Sequence, residues 1–339
     1  MKKIISIFFN FILWTAIGFA SINYQTSIYI FFQAKGQFHL VLNTQTFEEF
    51  KSSRNLNAEE KNNLDLINSI KKYSVDSLVF TPTKNFTKIF DQKDSPLLWA
   101  ITASEKLKLK AYYWQFPIVG KVSYKGFFER QKAVAEKNRL TCLGYDVDMR
   151  TVTAWSTLGW FSDPVLSSML AKSKGNLCNL IFHELFHATY YAQSSVDFNE
   201  NLASFIAHKA TLQFLNSQCK NDTLCYQTYI NSVNDNKIIE THLATKIKEL
   251  NNFYEKITDE SGNQKNILKL KQLIKINNSF NSLQLKNSKK IKNIQNEILK
   301  SKNAYFIDFA QYNGLQDSLE KVFIGNYHSD LKKMVASFK

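Results

Sequence analysis

Hydrophobic and polar positions divide the chain into three stretches. From Gln33 to about Lys72 apolar residues recur at helical spacing, and Asn57-Ala58-Glu59-Glu60 sets an Asn three residues before a Glu, the capping-box pattern that opens a helix. Between about 111 and 154 the pattern turns aromatic and β-branched. Ala111 to Ile118 and Lys121 to Tyr124 flank Val119-Gly120 and predict two strands joined by a turn. A helix from about Gly126 to Arg139 and a third strand from Val147 to Ala154 are expected to complete a small sheet, and Asp163-Pro164 to cap and start a short helix. From Asn176 onward the spacing is helical almost to the end, broken most clearly at Ser261-Gly262-Asn263. The pattern predicts an α+β, predominantly helical fold with a small antiparallel or mixed sheet.

The N-terminus is different. After Lys2 and Lys3 the chain runs from Ile4 to Ile22 without a charge, a length that suits either a cleaved signal peptide or a spanning helix. Gly18-Phe19-Ala20 before Ser21 offers a small-residue cleavage site. Ile28-Tyr29-Ile30-Phe31-Phe32 resumes the apolar character and favours an uncleaved anchor leading into a buried helix. Lys2 and Lys3 hold the N-terminus on the cytoplasmic side, which sends the remainder across the membrane. Residues 1–32 are therefore expected to be a signal peptide or N-terminal membrane anchor, and residues 33–339 a single domain with a helical C-terminal part.

Composition narrows the classes. With 44% hydrophobic and 21% charged residues, ten Gly and four Pro in 339, the chain is neither disordered nor fibrous. The net charge of +14 raises the question of an anionic partner. Much of the lysine excess lies between Lys237 and Lys302, mixed with Asn rather than with Arg and aromatics. That is the pattern of a solvated helical surface, so no nucleic-acid partner is expected, and anionic lipid is the other use such helices have. Export permits disulfides. Cys219 and Cys225 bracket a short polar turn and are the expected pair, while Cys142 and Cys178 suit either a second bridge or small apolar core positions.

The chemistry concentrates in His183-Glu184-Leu185-Phe186-His187, inside the apolar run Leu180 to Ala188. At about 100° per residue the two histidines lie roughly 40° apart around a helix, so both imidazoles leave one face and can grip one tetrahedral ion. Glu184, beside the first of them, can take a proton from water without binding the metal. Burying such groups in an apolar helix is costly unless a metal or hydrogen bonds satisfy them. A third ligand is needed. Glu200 fits, after enough chain to end the helix, turn through Gln193-Ser194-Ser195 and open a second helix at Asp197; Asp197 is the rival, with helix capping as its other reason. Ser204, one turn beyond Glu200, is placed to hydrogen-bond a ligand histidine. For a donor to a developing oxyanion, Tyr191 is the first choice, four residues past His187, with Tyr190, Tyr124 and His208 as alternatives. His39, His242 and His328 carry no spacing signal.

The stretch LIFHELFHATYYAQSSVDFNENLASFIA (residues 180–207) resembles the zinc-site core of the bacterial "predicted aminopeptidase" family of exported, membrane-associated zincin-like metallopeptidases. FFQAKGQFHLVL, YYWQFPIVGKVSYKGFF, AWSTLGWFSDPVLSSML and KNAYFIDFAQY resemble further segments of that family, in the same order along the chain. The resemblance implies His183, His187 and Glu200 as ligands of one Zn2+ and Glu184 as general base. It implies a bacterial cell-envelope location, anchored in the cytoplasmic membrane with the catalytic domain in the periplasm, or exported if the leader is cleaved. No lipobox Cys and no GxMEN amine-binding segment are found here. The expected activity is zinc-dependent hydrolysis of peptide bonds, as an aminopeptidase or endopeptidase. A non-catalytic, metal-stabilised, membrane-attached binding module is the alternative. The STLGWF stretch is a candidate substrate-binding edge, or an ordinary turn packed by Trp155 and Trp160.

Overall fold

The computed structural model describes residues 24–116, 120–152, 162–193, 195–218, 223–258, 261–312 and 315–339. The first helix, α1 (Tyr24–Leu42), is tied to the body along one side. The Tyr29 hydroxyl and the Gln33 amide both donate to the Gly126 carbonyl at 2.9 Å. Gly36 meets the Phe128 ring so closely that a Cβ would lie 2.2 Å from it, so no other residue fits there without moving the ring or the helix. The helix is less buried than its apolar sequence suggests: Ile30 and Phe31 are 47% and 64% exposed. Among the described residues no helix is long and apolar enough to cross a membrane, and Ile4 to Ile22 lie outside those residues.

After β1 (Thr44–Gln45) come α2 (Phe47–Ser53) and α3 (Ala58–Asp76). Both open with reciprocal capping boxes, Thr46 with Glu49 and, as expected, Asn57 with Glu60. The strands β2 (Ile89–Phe90), β3 (Trp99–Ser104), β4 (Trp114–Phe116), β5 (Gly120–Val122) and β6 (Tyr124–Phe127) precede α4 (Arg130–Cys142), β7 (Asp146–Thr151) and β8 (Val165–Leu166). A 3-10 turn, Ser167–Ala171, leads to α5 (Lys174–His187) and α6 (Val196–Gln218). The remainder is α7 (Thr223–Lys256), α8 (Gly262–Ser279), α9 (Lys289–Ser301), α10 (Asn303–Tyr312), α11 (Gln316–Tyr327) and α12 (Leu331–Ala336). Ser261 caps α8, so the break expected there is a helix start. The fold is α+β and mostly helical.

The sheet differs from expectation. The hairpin forms, with Trp114 opposite Val122, although residues 117–119 of its turn lie outside the described ones. β7 does not join it. It pairs antiparallel with β3, which also pairs antiparallel with β6. β3 escapes a pattern reading because five of its six residues are buried, leaving no alternation to detect. The helix expected from Gly126 starts at Arg130, since residues 124–127 are held in register against β3. Asp163-Pro164 does not open a helix either: Val165-Leu166 pair in parallel with β2. Asp163 is 1% exposed, and its side chain and backbone N–H meet the Asn85 amide. A Cys142–Cys178 bridge is not formed, because the Cys142 thiol is free at the surface while Cys178 is fully buried in the core. Cys219 lies outside the described residues.

Three groups of buried apolar side chains hold these elements. The largest joins α3, α5, α6, the β2–β8 edge and the C-terminal α11 and α12. A second fills the space among α7, α8, α9 and α10, and a third backs β3, β6 and β7 against α4 and Trp114. The last two are bridged by buried polar groups: Lys269 of α8 pairs with Asp146 of β7 and donates to the Lys106 carbonyl at 2.6 Å. The Asn303 N–H reaches the same Asp146 carboxylate at 3.1 Å, and Tyr254 donates to the Asn303 side chain at 2.6 Å.

Candidate metal centre

The site begins with the rotation of α5. Ile181, Phe182, Leu185 and Phe186 are each at most 2% exposed. Burial of each contributes roughly 1.5–3 kcal/mol, and Phe182 and Phe186 both lean on Phe80, with ring centroids 6.3 and 5.7 Å away. That anchored face leaves His183, Glu184 and His187 on the remainder of the helix. α6 packs along α5 and carries Glu200 in its first turns.

The connection between the two helices is pinned by Asn199. Its side-chain oxygen accepts the Ala192 N–H at 2.8 Å and its amide donates to the Ala192 carbonyl at 2.7 Å. Asn199 is 2% exposed and stands next to Glu200. The residues after His187 are thus folded back onto the first turn of α6.

These constraints bring three ligand atoms together. His183 Nε2 and His187 Nε2 are 3.1 Å apart, and the Glu200 oxygens lie 3.3 Å from the first and 3.4 Å from the second. Bonds of about 2.0–2.1 Å at tetrahedral angles require ligand atoms roughly 3.3 Å apart, so this triangle has the right edges for one zinc-sized ion. His183, His187 and Glu200 are the residues found to converge in this way among the described ones. Asp197 stays exposed outside the group, with its carbonyl accepting from Asn201. Ser204 lies where expected, its hydroxyl 3.4 Å from His183 Nδ1. The buried His187 Nδ1 has no hydrogen-bond partner among the described residues.

Without a metal the group is an ion-pair cluster. Burial by itself would raise the Glu200 carboxyl, but hydrogen bonds to His183 and His187 and their charge override it and hold the carboxyl down at about 2. Burial likewise lowers the His183 imidazole, and the Glu200 hydrogen bond with the charges of Glu184 and Glu200 outweighs it, so its pKa rises. Glu184 is pushed up, first by burial; the two histidines pull it down, while Glu200 and Asp163 add to the rise. It makes no hydrogen bond among the described residues.

The four oxyanion candidates separate. The Tyr191 ring stands edge-on to His187 with centroids 5.9 Å apart, and Tyr124 of β6 lies within electrostatic reach of Glu200 and Tyr191. Tyr190 packs on Phe338, with ring centroids 4.9 Å apart, and is part of the core. His208 is two turns past Glu200, about 12 Å along the axis, and bonds the Tyr229 hydroxyl at 3.1 Å; it is not brought to the group. Of the histidines without a spacing signal, His39 meets Asn43, His242 meets Ser279, and His328 supplies the left-handed residue that ends α11. Residues 153–161, and with them most of the AWSTLGWF stretch, lie outside the described ones. Asn199 and Asp163 were not legible as site residues. For Asn199 the signal was its place in the FNE segment directly before Glu200.

A family model described as a putative aminopeptidase matches residues 28–339. No curated protein and no solved structure matches the chain.

Proposed function

The chain belongs to the putative aminopeptidase family, and on that premise we propose a zincin-like peptidase in which His183, His187 and Glu200 hold one Zn2+ and Glu184 is the general base. The observation that carries this is the triangle of two imidazole nitrogens and a carboxylate with 3.1–3.4 Å edges, next to Glu184 in the sequence of the same helix. Zinc held there supplies Lewis-acid polarisation of the peptide carbonyl and a lowered pKa for water.

The chain's own residues do the rest. Glu184 takes the proton as water attacks and returns it to the leaving amine, a shuttle suited to a carboxyl whose pKa burial has raised. Tyr191 is assigned to donate to the developing oxyanion. Ser204 orients His183, and Asn199 fixes the chain that leads to Glu200. Residues 1–32 anchor the protein in the cytoplasmic membrane, or are cleaved, and residues 33–339 act as one domain in the periplasm of a bacterial envelope. The partners are a peptide substrate and the membrane.

The test is zinc content together with cleavage of a mixed peptide library read by mass spectrometry, on wild type and Glu184→Gln. We expect one zinc in both proteins and cleavage by wild type alone, abolished by chelation. Single-residue N-terminal losses identify an aminopeptidase, and internal cuts an endopeptidase. Bound zinc with no cleavage of any peptide selects the binding module instead, and absence of bound zinc refutes the site.

A further inference from the structure

Asn179, His183 and His187 follow one another at intervals of four along α5, and Glu200, Ser204 and His208 do so along α6. Each interval advances about 6 Å and turns by only about 40°, so each trio forms one stripe of its helix. The stripes meet in opposite order. Glu200 lies 3.3 and 3.4 Å from His183 and His187, and Ser204 lies 3.4 Å from His183. One turn further along both helices, Asn179 and His208 share a partner from a third. The Asn179 amide donates to the Tyr229 hydroxyl of α7 at 3.1 Å, and the same hydroxyl is 3.1 Å from His208 Nδ1. Tyr229 is 5% exposed, and it approaches α5 so closely that a Cβ on Gly175 would come within 2.7 Å of its side chain. The lack of a side chain at Gly175, four residues before Asn179, lets the hydroxyl reach both stripes. Burial, and after it the charge of Lys209, holds the His208 imidazole below its ordinary value against an opposing pull from Glu320. A ring kept neutral in this way can take the Tyr229 O–H at Nδ1 while the hydroxyl oxygen accepts from Asn179.

We propose that Tyr229 is a positioning residue of the metal centre, whose hydroxyl ties the ligand stripes of α5 and α6 in the axial register that brings His183 and His187 to Glu200. This role rests on the reading of those three residues as metal ligands. A buried tyrosine hydroxyl is satisfied by a single partner, yet this one takes a partner from each of the two ligand helices. The core around α5 and α6 is otherwise apolar, and apolar contact is non-directional. It holds two helices together without fixing how far one slides along the other, whereas hydrogen bonds to a common atom do fix it. A slip of about half an ångström already exceeds the roughly 0.2 Å within which distances from metal to ligand are held. Asn199 closes the connection between the helices at the metal end. Tyr229 closes the pair one turn beyond His183 and Ser204, so the ligands lie between two ties.

The test compares the full-length protein with Tyr229→Phe, with Asn179→Ala and, as control, with Tyr254→Phe. The control removes the same hydroxyl from a tyrosine buried to the same degree in the second core, 6% exposed and bonded to Asn303 at 2.6 Å. Three quantities are read: zinc affinity in competition with a chromophoric chelator, the visible spectrum of the Co2+ form, which follows the geometry of the ligands, and Tm without metal. We expect both Tyr→Phe proteins to lose Tm. Only Tyr229→Phe and Asn179→Ala should lose about tenfold in zinc affinity and show an altered cobalt spectrum. Wild-type affinity and spectrum in either of those two overturn the positioning role, whatever the Tm. An equal loss of affinity in Tyr254→Phe overturns it too, because metal binding then follows overall stability. If the wild-type protein binds neither zinc nor cobalt, the metal centre itself is refuted and the role of Tyr229 falls with it.

Discussion

Replacing Asn199 with Ala tests whether Glu200, the proposed third ligand, is set in place before any metal arrives. The change deletes two hydrogen bonds, of 2.8 and 2.7 Å, that close the chain between His187 and α6 onto Ala192. Each contributes about 1 kcal/mol net, because the half-buried Ala192 groups regain some water when released. About 2 kcal/mol of pre-organisation is therefore lost. If that energy now has to be supplied on binding, zinc affinity falls roughly 30-fold, since each 1.4 kcal/mol is tenfold. Asn199→Asp discriminates further: its oxygens still accept the Ala192 N–H, but nothing donates to the Ala192 carbonyl, and a second negative charge stands beside Glu200. The assay is competition for zinc against a chromophoric chelator, with thermal denaturation of the metal-free proteins alongside. Unchanged affinity with a lowered Tm would show that the clamp only stabilises the fold, and would refute the claim that it presets the site. An Asn199→Ala protein within twofold of wild type in zinc affinity and with an unchanged Tm would refute the energetic reading of the clamp altogether.

Other outcomes follow from the same geometry. In chelator, Glu200 contributes stability above its ordinary value of 4.5 and loses it as pH falls through about 2. His183 contributes below its ordinary 6.5 and loses it as pH rises through its raised value. The Tm advantage of wild type over Glu200→Gln should thus be greatest between about pH 4.5 and 6.5 and shrink on both sides; a difference that falls away neither below nor above that window refutes the pairing. Lys269→Met strands the buried Asp146 carboxylate and should cost about 3–5 kcal/mol in urea unfolding, with much of it recovered in Asp146→Asn/Lys269→Met. A cost below 1 kcal/mol would mean that the bridge between α8 and β7 contributes little. Tyr191→Phe should lower kcat about 100-fold at unchanged KM if its hydroxyl meets the oxyanion, whereas a change under threefold assigns the ring to packing against His187.

The fold was legible where local chemistry is self-contained. The Asn57–Glu60 capping box, the hairpin around Trp114 and Val122 and the helices after Asn176 each follow from a few neighbouring residues. The sheet was not legible, for a physical reason. β3 is buried on both faces and shows no alternation, and once it is missed, β6 looks like the start of a helix and β7 like a partner of the hairpin. Asp163-Pro164 misled in a related way. Asp is as good a partner for a buried amide as it is a helix cap, and the choice was made by Asn85, a residue 78 positions away.

The candidate metal ligands and the candidate oxyanion donors differ in the same respect. Two histidines one turn apart and a glutamate at the opening of the next helix are constraints written along the chain, because each helix carries its own geometry and a short connection limits where the second can lie. An oxyanion donor carries no such constraint, since any strand or loop that passes the site can supply one. Tyr191 and Tyr124 reach the neighbourhood of Glu200 from different elements, one from the segment that follows the HExxH helix and one from a strand. Only the packing of β6 against β3 brings the second of them there. His208 shows the converse, with the right chemistry at helical spacing and a position two turns along α6 that commits it to Tyr229. Spacing brings the candidate ligands together, and tertiary packing decides which groups surround them.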